Sequence, residues 1–173
     1  TKTDVNWKGG DADPETNKIR VIAEARAIRA WAYRHLTYCW GDVPLNLQES
    51  LGSTIRTDWR RAPVAEVRAQ MIDDWRFAEQ YIGTEPSLAG RITKGAVQHY
   101  LAEICLAIGK ADSALIWADK VIGNPAYQLT KARYGVKKDK PGTIVMDMFC
   151  DGNSNREEGN KEALWVFQFQ QQT

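Results

Sequence analysis

From Ile19 to Val121, apolar residues recur at spacings of three and four, and each run closes on a glycine: Gly41, Gly83, Gly109 and Gly123. That period marks amphipathic α-helix, and a glycine just past the last periodic residue is a common helix stop. The chain is thereby constrained to helices that bury one stripe each. Its 173 residues give room for one domain with its own core.

The first helix is predicted over Ile19 to Cys39, with Val21, Ala25, Ile28, Ala32, Leu36 and Cys39 as its buried stripe, widened by Ile22, Trp31 and His35. Residues 1–17 read as a loop, although Asp13-Pro14-Glu15 suits a helix start, because proline fits the first turn and acidic groups the positive end. After Gly41, Pro44 enforces an extended exit, and Leu47 to Ala62 is a long polar loop. Pro63 opens the second helix, whose stripe is Val64, Val67, Met71, Trp75, Ala78 and Ile82. Thr93 caps the third, with Val97, Tyr100, Leu101, Ile104, Cys105 and Ile108 on its apolar face. The fourth carries Ala111, Ala114, Leu115, Ala118 and Val121.

The segment Thr93 to Ile122 is a helical hairpin with a very short turn, and Ala102, Ala114 and Ala118 let its two backbones approach. Such a pair is similar to a tetratricopeptide-type repeat, and the first two helices are compatible with another. One pair cannot bury its outer face, whereas stacked pairs can. The expected fold is mostly α: tetratricopeptide-like helix pairs in a short superhelical array over residues 19–123. A loop and extended region, 124–173, follows within the same domain. There, Thr130 to Gly142 is a basic loop, Ile144 to Phe149 a short apolar run, and Asp151 to Lys161 an exposed loop. Leu164 to Phe169 alternates as a strand or ordered extended segment does. The last residues run on without a stop signal, as at a cut within a larger protein.

Charge narrows the function classes. With 23 basic and 22 acidic residues, net +1, the chain has no basic stripe for tracking nucleic acid, and Lys137, Lys138, Asp139 and Lys140 read as a solvated loop. Cys39, Cys105 and Cys150 are widely spaced, two of them on apolar helix faces, and with His35 and His99 alone they form no zinc motif. No cofactor or metal is implied. No stretch approaches the roughly 20 apolar residues of a membrane-crossing helix. Asp73 and Asp74 are neighbours on a helix, pointing in different directions, and read as solvated surface rather than a glycosidase pair.

The seven tryptophans are the unusual feature. Trp31 and Trp75 fall on or beside helical stripes and are expected in the core. Trp7, Trp40 and Trp59 fall in or beside loops. An indole face can stack on a sugar ring, while Asp42, Asn46 and Asp58 can share hydroxyl hydrogen bonds. The candidate ligand-binding residues are therefore Trp7, Trp40, Asp42, Asn46, Asp58 and Trp59; packing of the loop indoles against the domain is the competing reading.

The phrase EARAIRAWAYRHLTYCWGDVPL, Glu24 to Leu45, resembles the signature of the SusD/RagB family of surface nutrient-binding lipoproteins, through Arg29-Ala30, Trp31, Tyr33, Leu36 and Gly41-Asp42-Val43-Pro44-Leu45. RAPVAEVRAQMIDDWRFAEQYI resembles the family's next helix, and Gly90, Arg91, Thr93, Lys94, Gly95 and Ala96 match its Gly-Arg-x-Thr-Lys-Gly-Ala segment. VIGNPAYQL and EALWVFQFQ also look like the family's, so the resemblance covers about Ile19 to Gln170 in order. It implies a helix-pair scaffold that binds glycans or other nutrients at the bacterial cell surface, without covalent chemistry. It further implies a TonB-dependent, SusC-like outer-membrane transporter as partner, with an oligosaccharide or polysaccharide as ligand. The location implied is the outward face of the outer membrane, lipid-anchored in the full-length protein, the anchor being absent from this chain. The family's ligand-contacting aromatics vary and none is carried over to Trp7, Trp40 or Trp59. The alternatives are a helical-repeat protein-interaction module without sugar binding, or a helical glycosidase.

Overall fold

The structure is a computed structural model that describes residues 5–8, 12–48 and 57–169. Parts of the loops expected over 1–17 and 47–62, namely residues 1–4, 9–11 and 49–56, lie outside the described residues, as do residues 170–173. Five α-helices follow one another: α1 (Pro14–Trp40), α2 (Val64–Tyr81), α3 (Lys94–Ala107), α4 (Ala111–Ile122) and a short α5 (Ile144–Met148), with 3-10 turns at Gly135–Lys137 and Arg156–Glu158. Among the described residues there is no sheet, and the one antiparallel bridge joins Val43 to Ala62. α1 packs on α2, α2 on α3 and α3 on α4, so the layers are stacked in chain order.

α1 begins five residues before its first periodic residue. Asp13 supplies the reason: its carboxylate accepts hydrogen bonds from the Glu15 and Thr16 N–H groups, donors with no partner inside the helix. Residues 14–17 are thus helix rather than loop. Gly41 ends α1 at φ +65°, a conformation that costs a side chain energy and glycine little.

The buried face of α1 is not the expected one. Ala23, Ala27, Ala30, Tyr33 and Thr37 are buried, while Val21, Ala25, Ile28, Ala32, Leu36 and Cys39 are exposed. Trp31 is half-buried and His35 exposed. α1 has two apolar faces, and polar bonding selects between them. Asp74, on α2 and 0% exposed, accepts from Arg26 Nε at 2.8 Å, from Arg29 Nε and Nη2 at 2.8 and 2.7 Å, and from Gln70 at 3.1 Å. The arginines reach it only when the alanine face meets α2. The small side chains there bring the backbones together around Val67, Met71 and Trp75, all buried. Asp74 is therefore not solvated surface, although Asp73 is exposed.

The faces of α2 and α3 follow the period. In α4 only Ala114 is buried and Leu115 is 61% exposed, against expectation, because nothing among the described residues packs on its outer side. At the start of α3 the Thr93 hydroxyl accepts from the Ala96 N–H. A Cβ on Gly95 would overlap the Tyr127 ring, whose hydroxyl accepts the Gly95 N–H at 2.8 Å and donates to the Thr84 carbonyl.

The stretch Asp151 to Lys161 is not merely an exposed loop: Asn153, Arg156 and Asn160 in it are buried. Arg156 uses all five of its N–H donors. They go to both Glu85 oxygens and to the carbonyls of Ala126, Lys161 and Ala163, with the guanidinium 4.6 Å above the Tyr127 ring. Asn153 bonds the backbone of Tyr134 and Val136 in the same manner. Residues 165–169 carry no regular secondary structure and pair with no strand among the described residues; the Thr93 hydroxyl donates to the Leu164 carbonyl and Trp165 Nε1 to the Gly90 carbonyl.

Removing the Asp74 carboxylate leaves Arg26 and Arg29, whose side chains are each 30% exposed, without their buried acceptor, and Asp74→Ala is expected to cost about 2 kcal/mol of stability, read from urea unfolding midpoints. A loss below about 1 kcal/mol would show that the guanidinium groups simply swing into water. Hydrogen bonds from Arg133 and the Tyr134 N–H hold the Asp147 carboxyl below the ordinary carboxylate range. A depressed folded-state pKa contributes stability that is complete above the unfolded value, near pH 4, and is lost as pH falls through the folded one. Asp147→Asn should therefore flatten the fall in unfolding midpoint below about pH 4, measured against the parent protein.

Candidate functional site

The turn from α1 into α2 is where sequence and structure place loop aromatics together with polar side chains. Trp40, the last residue of α1, is 66% exposed. Gly41 then reverses the chain, and Asp42 turns back so that its carboxylate accepts the Val64 N–H at 2.8 Å. α2 needs that outside help, since Pro63 at its N-cap has no capping side chain. The Ala62 N–H donates to the Val43 carbonyl at 2.9 Å, which draws the segment after the loop alongside the segment before it. The Tyr33 hydroxyl accepts the Asn46 N–H at 2.7 Å and lies within donating distance of the Pro44 and Asn46 carbonyls. Asn46 is exposed, and its side-chain oxygen accepts the Gln48 N–H.

Five of the six candidate residues lie in these two segments, 40–46 and 58–59, with Asp58 exposed and Trp59 37% exposed. Trp7 is elsewhere. Its carbonyl accepts a hydrogen bond from Asn17 at the far end of α1, and a helix of 27 residues is about 40 Å long. The structure brings five of the six to one end of the molecule and leaves Trp7 at the other.

Sequence reading passed over a second aromatic group. Trp31 lies 4.3 Å from His35, 5.9 Å from Trp165 and 5.4 Å from Phe167, ring centre to ring centre. Phe167 is 47% exposed. The alternation of residues 164–169 was the available signal, but it cannot say which helix the odd-numbered rings meet. Two open concavities have no aromatic residue of either group in their lining, although the second borders the α1–α2 junction at Val64. One, of about 510 Å³, is bordered by Gln128, Thr130, Lys131, Tyr134 and Lys161; the other, about 430 Å³, is bordered by Val64, Arg68, Ile72, Ile108 and Lys110.

Asp74, the buried carboxylate of the Asp73–Asp74 pair, is saturated by two guanidinium groups and an amide. Both histidines are exposed, and no cluster of three metal-ligating side chains occurs among the described residues.

No model of a protein family matches the chain. It is 25% identical over 162 residues to a SusD-like protein, P2, of Formosa agariphila, an alignment that covers 92% of this chain and 30% of that protein. A SusD-like protein of Bacteroides fragilis superposes with a TM-score of 0.72 at 20% identity, over 90% of this chain and 28% of its own. A laminarin-binding SusD-like protein superposes at 0.63 with 25% identity, over 70% of this chain and 28% of its own.

The chain is similar in sequence and in fold to SusD-like proteins.

It spans about 30% of the curated relative and a similar share of the solved SusD-like chains. A further structure, solved with a xylogluco-oligosaccharide, superposes at 0.62 with 26% identity over 70% of this chain. The residues that carry the SusD/RagB signature have visible structural duties here. Arg29 clamps Asp74, Glu24 accepts from Arg20 and Arg91, and Gly41 and Asp42 make and cap the turn into α2.

The Asp42 carboxylate is an N-terminal cap supplied from a distance, and Asp42→Ala is expected to lower stability by about 1 kcal/mol, measured by thermal or urea unfolding. Asp42→Asn, which keeps an acceptor oxygen, should recover most of it. Equal loss in both variants would assign the effect to charge instead.

Proposed function

We propose that this chain is the helical scaffold portion of a non-catalytic nutrient-binding protein of the bacterial cell surface. It would take up a glycan at the α1–α2 junction for delivery to a TonB-dependent outer-membrane transporter of the SusC-like type. The observation that carries the reading is the pair of exposed indoles, Trp40 and Trp59, on the two segments joined by the Val43–Ala62 bridge, beside Asp42, Asn46 and Asp58. Indole faces bind the C–H face of a sugar ring, and carboxylate and amide groups at the rim fix its hydroxyls. Two of the solved relatives, the laminarin-binding protein and the structure with a xylogluco-oligosaccharide, are consistent with a carbohydrate ligand.

In this reading α1–α2 and α3–α4 are tetratricopeptide-like pairs, and residues 19–123 are the scaffold of one domain. Residues 124–173 form its loop and extended part. The location would be the outward side of the outer membrane, held by a lipid anchor carried elsewhere in the full-length protein. Among the described residues no helix is long and apolar enough to cross a membrane. Trp7 enters only as a contact separate from the junction.

One observation favours the alternative of a protein-interaction module: the stripe Val21, Ile28 and Leu36 is 37%, 48% and 38% exposed along α1. Calorimetric titration with a panel of soluble oligosaccharides and polysaccharides separates the two. Saturable heat with a glycan, weakened roughly tenfold by Trp40→Ala or Trp59→Ala, is the expected result. Binding that persists unchanged in both variants would move the sugar elsewhere, and no heat with any glycan would favour the interaction module.

A further inference from the structure

Between Gln128 and Asn160 the chain makes an excursion whose tip carries apolar side chains that the core does not use. On α5, Val145, Met146 and Phe149 are 62%, 61% and 80% exposed. Phe149, at the C-cap, falls one turn on from the adjacent Val145 and Met146, which places the three on one side; Asp147, on the other, is buried, as is Cys150 just past the cap. The 3-10 turn Gly135–Lys137 lies in contact with α5 and adds Val136, 62% exposed.

The same tip carries the densest run of positive charge in a chain that is otherwise nearly neutral. Lys137, Lys138 and Lys140 are all exposed, with Asp139 between them. Arg133 fixes this turn against α5. Its guanidinium donates to the Asp147 carboxylate, to the Lys140 carbonyl at 3.1 Å and to the Lys137 carbonyl at 2.6 Å. Asp147 is thereby buried and committed to Arg133, while the acidic groups in reach of solvent here are Asp139, among the lysines, and Asp151, three residues past α5.

We propose that this tip is an interfacial docking surface for an anionic lipid bilayer. Val136, Val145, Met146 and Phe149 would enter the boundary between headgroups and acyl chains, with the three ammonium groups over the lipid charge. Shallow burial of a few apolar side chains and attraction of lysines to anionic headgroups are each weak alone and act together. The arrangement suits a fluid surface better than a folded acidic partner. It combines non-directional apolar contact with diffuse positive charge, and neither demands a shape-matched counterpart.

The test is flotation of the full chain with mixed phosphatidylglycerol–phosphatidylcholine vesicles and with phosphatidylcholine vesicles. The protein should float with the mixed vesicles, more weakly at high salt, and remain behind with the neutral ones. The double variants Lys137→Glu/Lys138→Glu and Met146→Ser/Phe149→Ser should each reduce partition by at least roughly tenfold. Their thermal unfolding should match the parent, since all four side chains are exposed. No partition into mixed vesicles, equal partition into both kinds, or partition unaffected by both variants would overturn the proposal. Binding to polyglutamate without binding to vesicles would overturn it in favour of an acidic protein. Glycan titration is a separate readout, so its failure leaves this surface standing.

Discussion

The carboxylate of Asp74 is the point on which the helical stack turns. It is wholly buried between α1 and α2 and surrounded by Arg26, Arg29 and the Gln70 amide. A buried charge is tolerated only when its hydrogen bonds are made, so its partners are not free to face elsewhere. Arg26 and Arg29 in turn stand on one side of α1, and their commitment rotates the helix until its alanine face meets α2. Phe77 lies beneath the Arg26 guanidinium at 4.3 Å and continues the contact. A second ion pair, Arg34 with Glu103, joined by the Tyr38 hydroxyl, ties the same helix to α3. Alanine packing makes the approach close, and the charges make it unique in rotation.

The region after α4 is organised by the same physics with different partners. It has no ladder of strands among the described residues to satisfy its backbone, so side chains do that work. Arg156 gathers three carbonyls and Glu85 from separate segments; Asn153 bonds the turn at Tyr134 and Val136; Asn160 bonds the carbonyls of Met148 and Ser154. This explains why a stretch rich in Asn and Gly is interior. A buried loop requires hydrogen-bonding side chains in place of a neighbouring strand. It also carries Trp165 back to the Gly90 turn, where the indole N–H finds a carbonyl and the ring lies against Trp31.

At the junction between α1 and α2 the polar residues have double duties. Asp42 supplies the first turn of α2 with an acceptor, and the backbone of Asn46 meets the Tyr33 hydroxyl. These bonds shape the two segments on which Trp40 and Trp59 stand. The resemblance in the Gly-Asp-Val-Pro-Leu phrase is therefore also a statement about geometry, since Gly41 permits the turn and Asp42 secures the helix that follows.

What the sequence determined by itself is local. The period of three and four, the glycine stops, the Thr93 cap and the buried faces of α2 and α3 could all be read from neighbouring residues, because each depends on spacing along one segment. The order of the signature phrases likewise pointed to the SusD-like proteins. Tertiary structure decided what depends on pairs far apart in the chain. It chose the alanine face of α1 over the Val21–Ile28–Leu36 face, buried Asp74 and left Asp73 in water, and made Arg156 interior. It also separated Trp7 from the five residues at the α1–α2 junction by the length of a helix. Hydrophobic period records which faces can be buried; partners 40 or more residues away, such as Asp74 for Arg29 (45 residues apart), settle which face is. Only the fold brings such a partner within hydrogen-bonding distance.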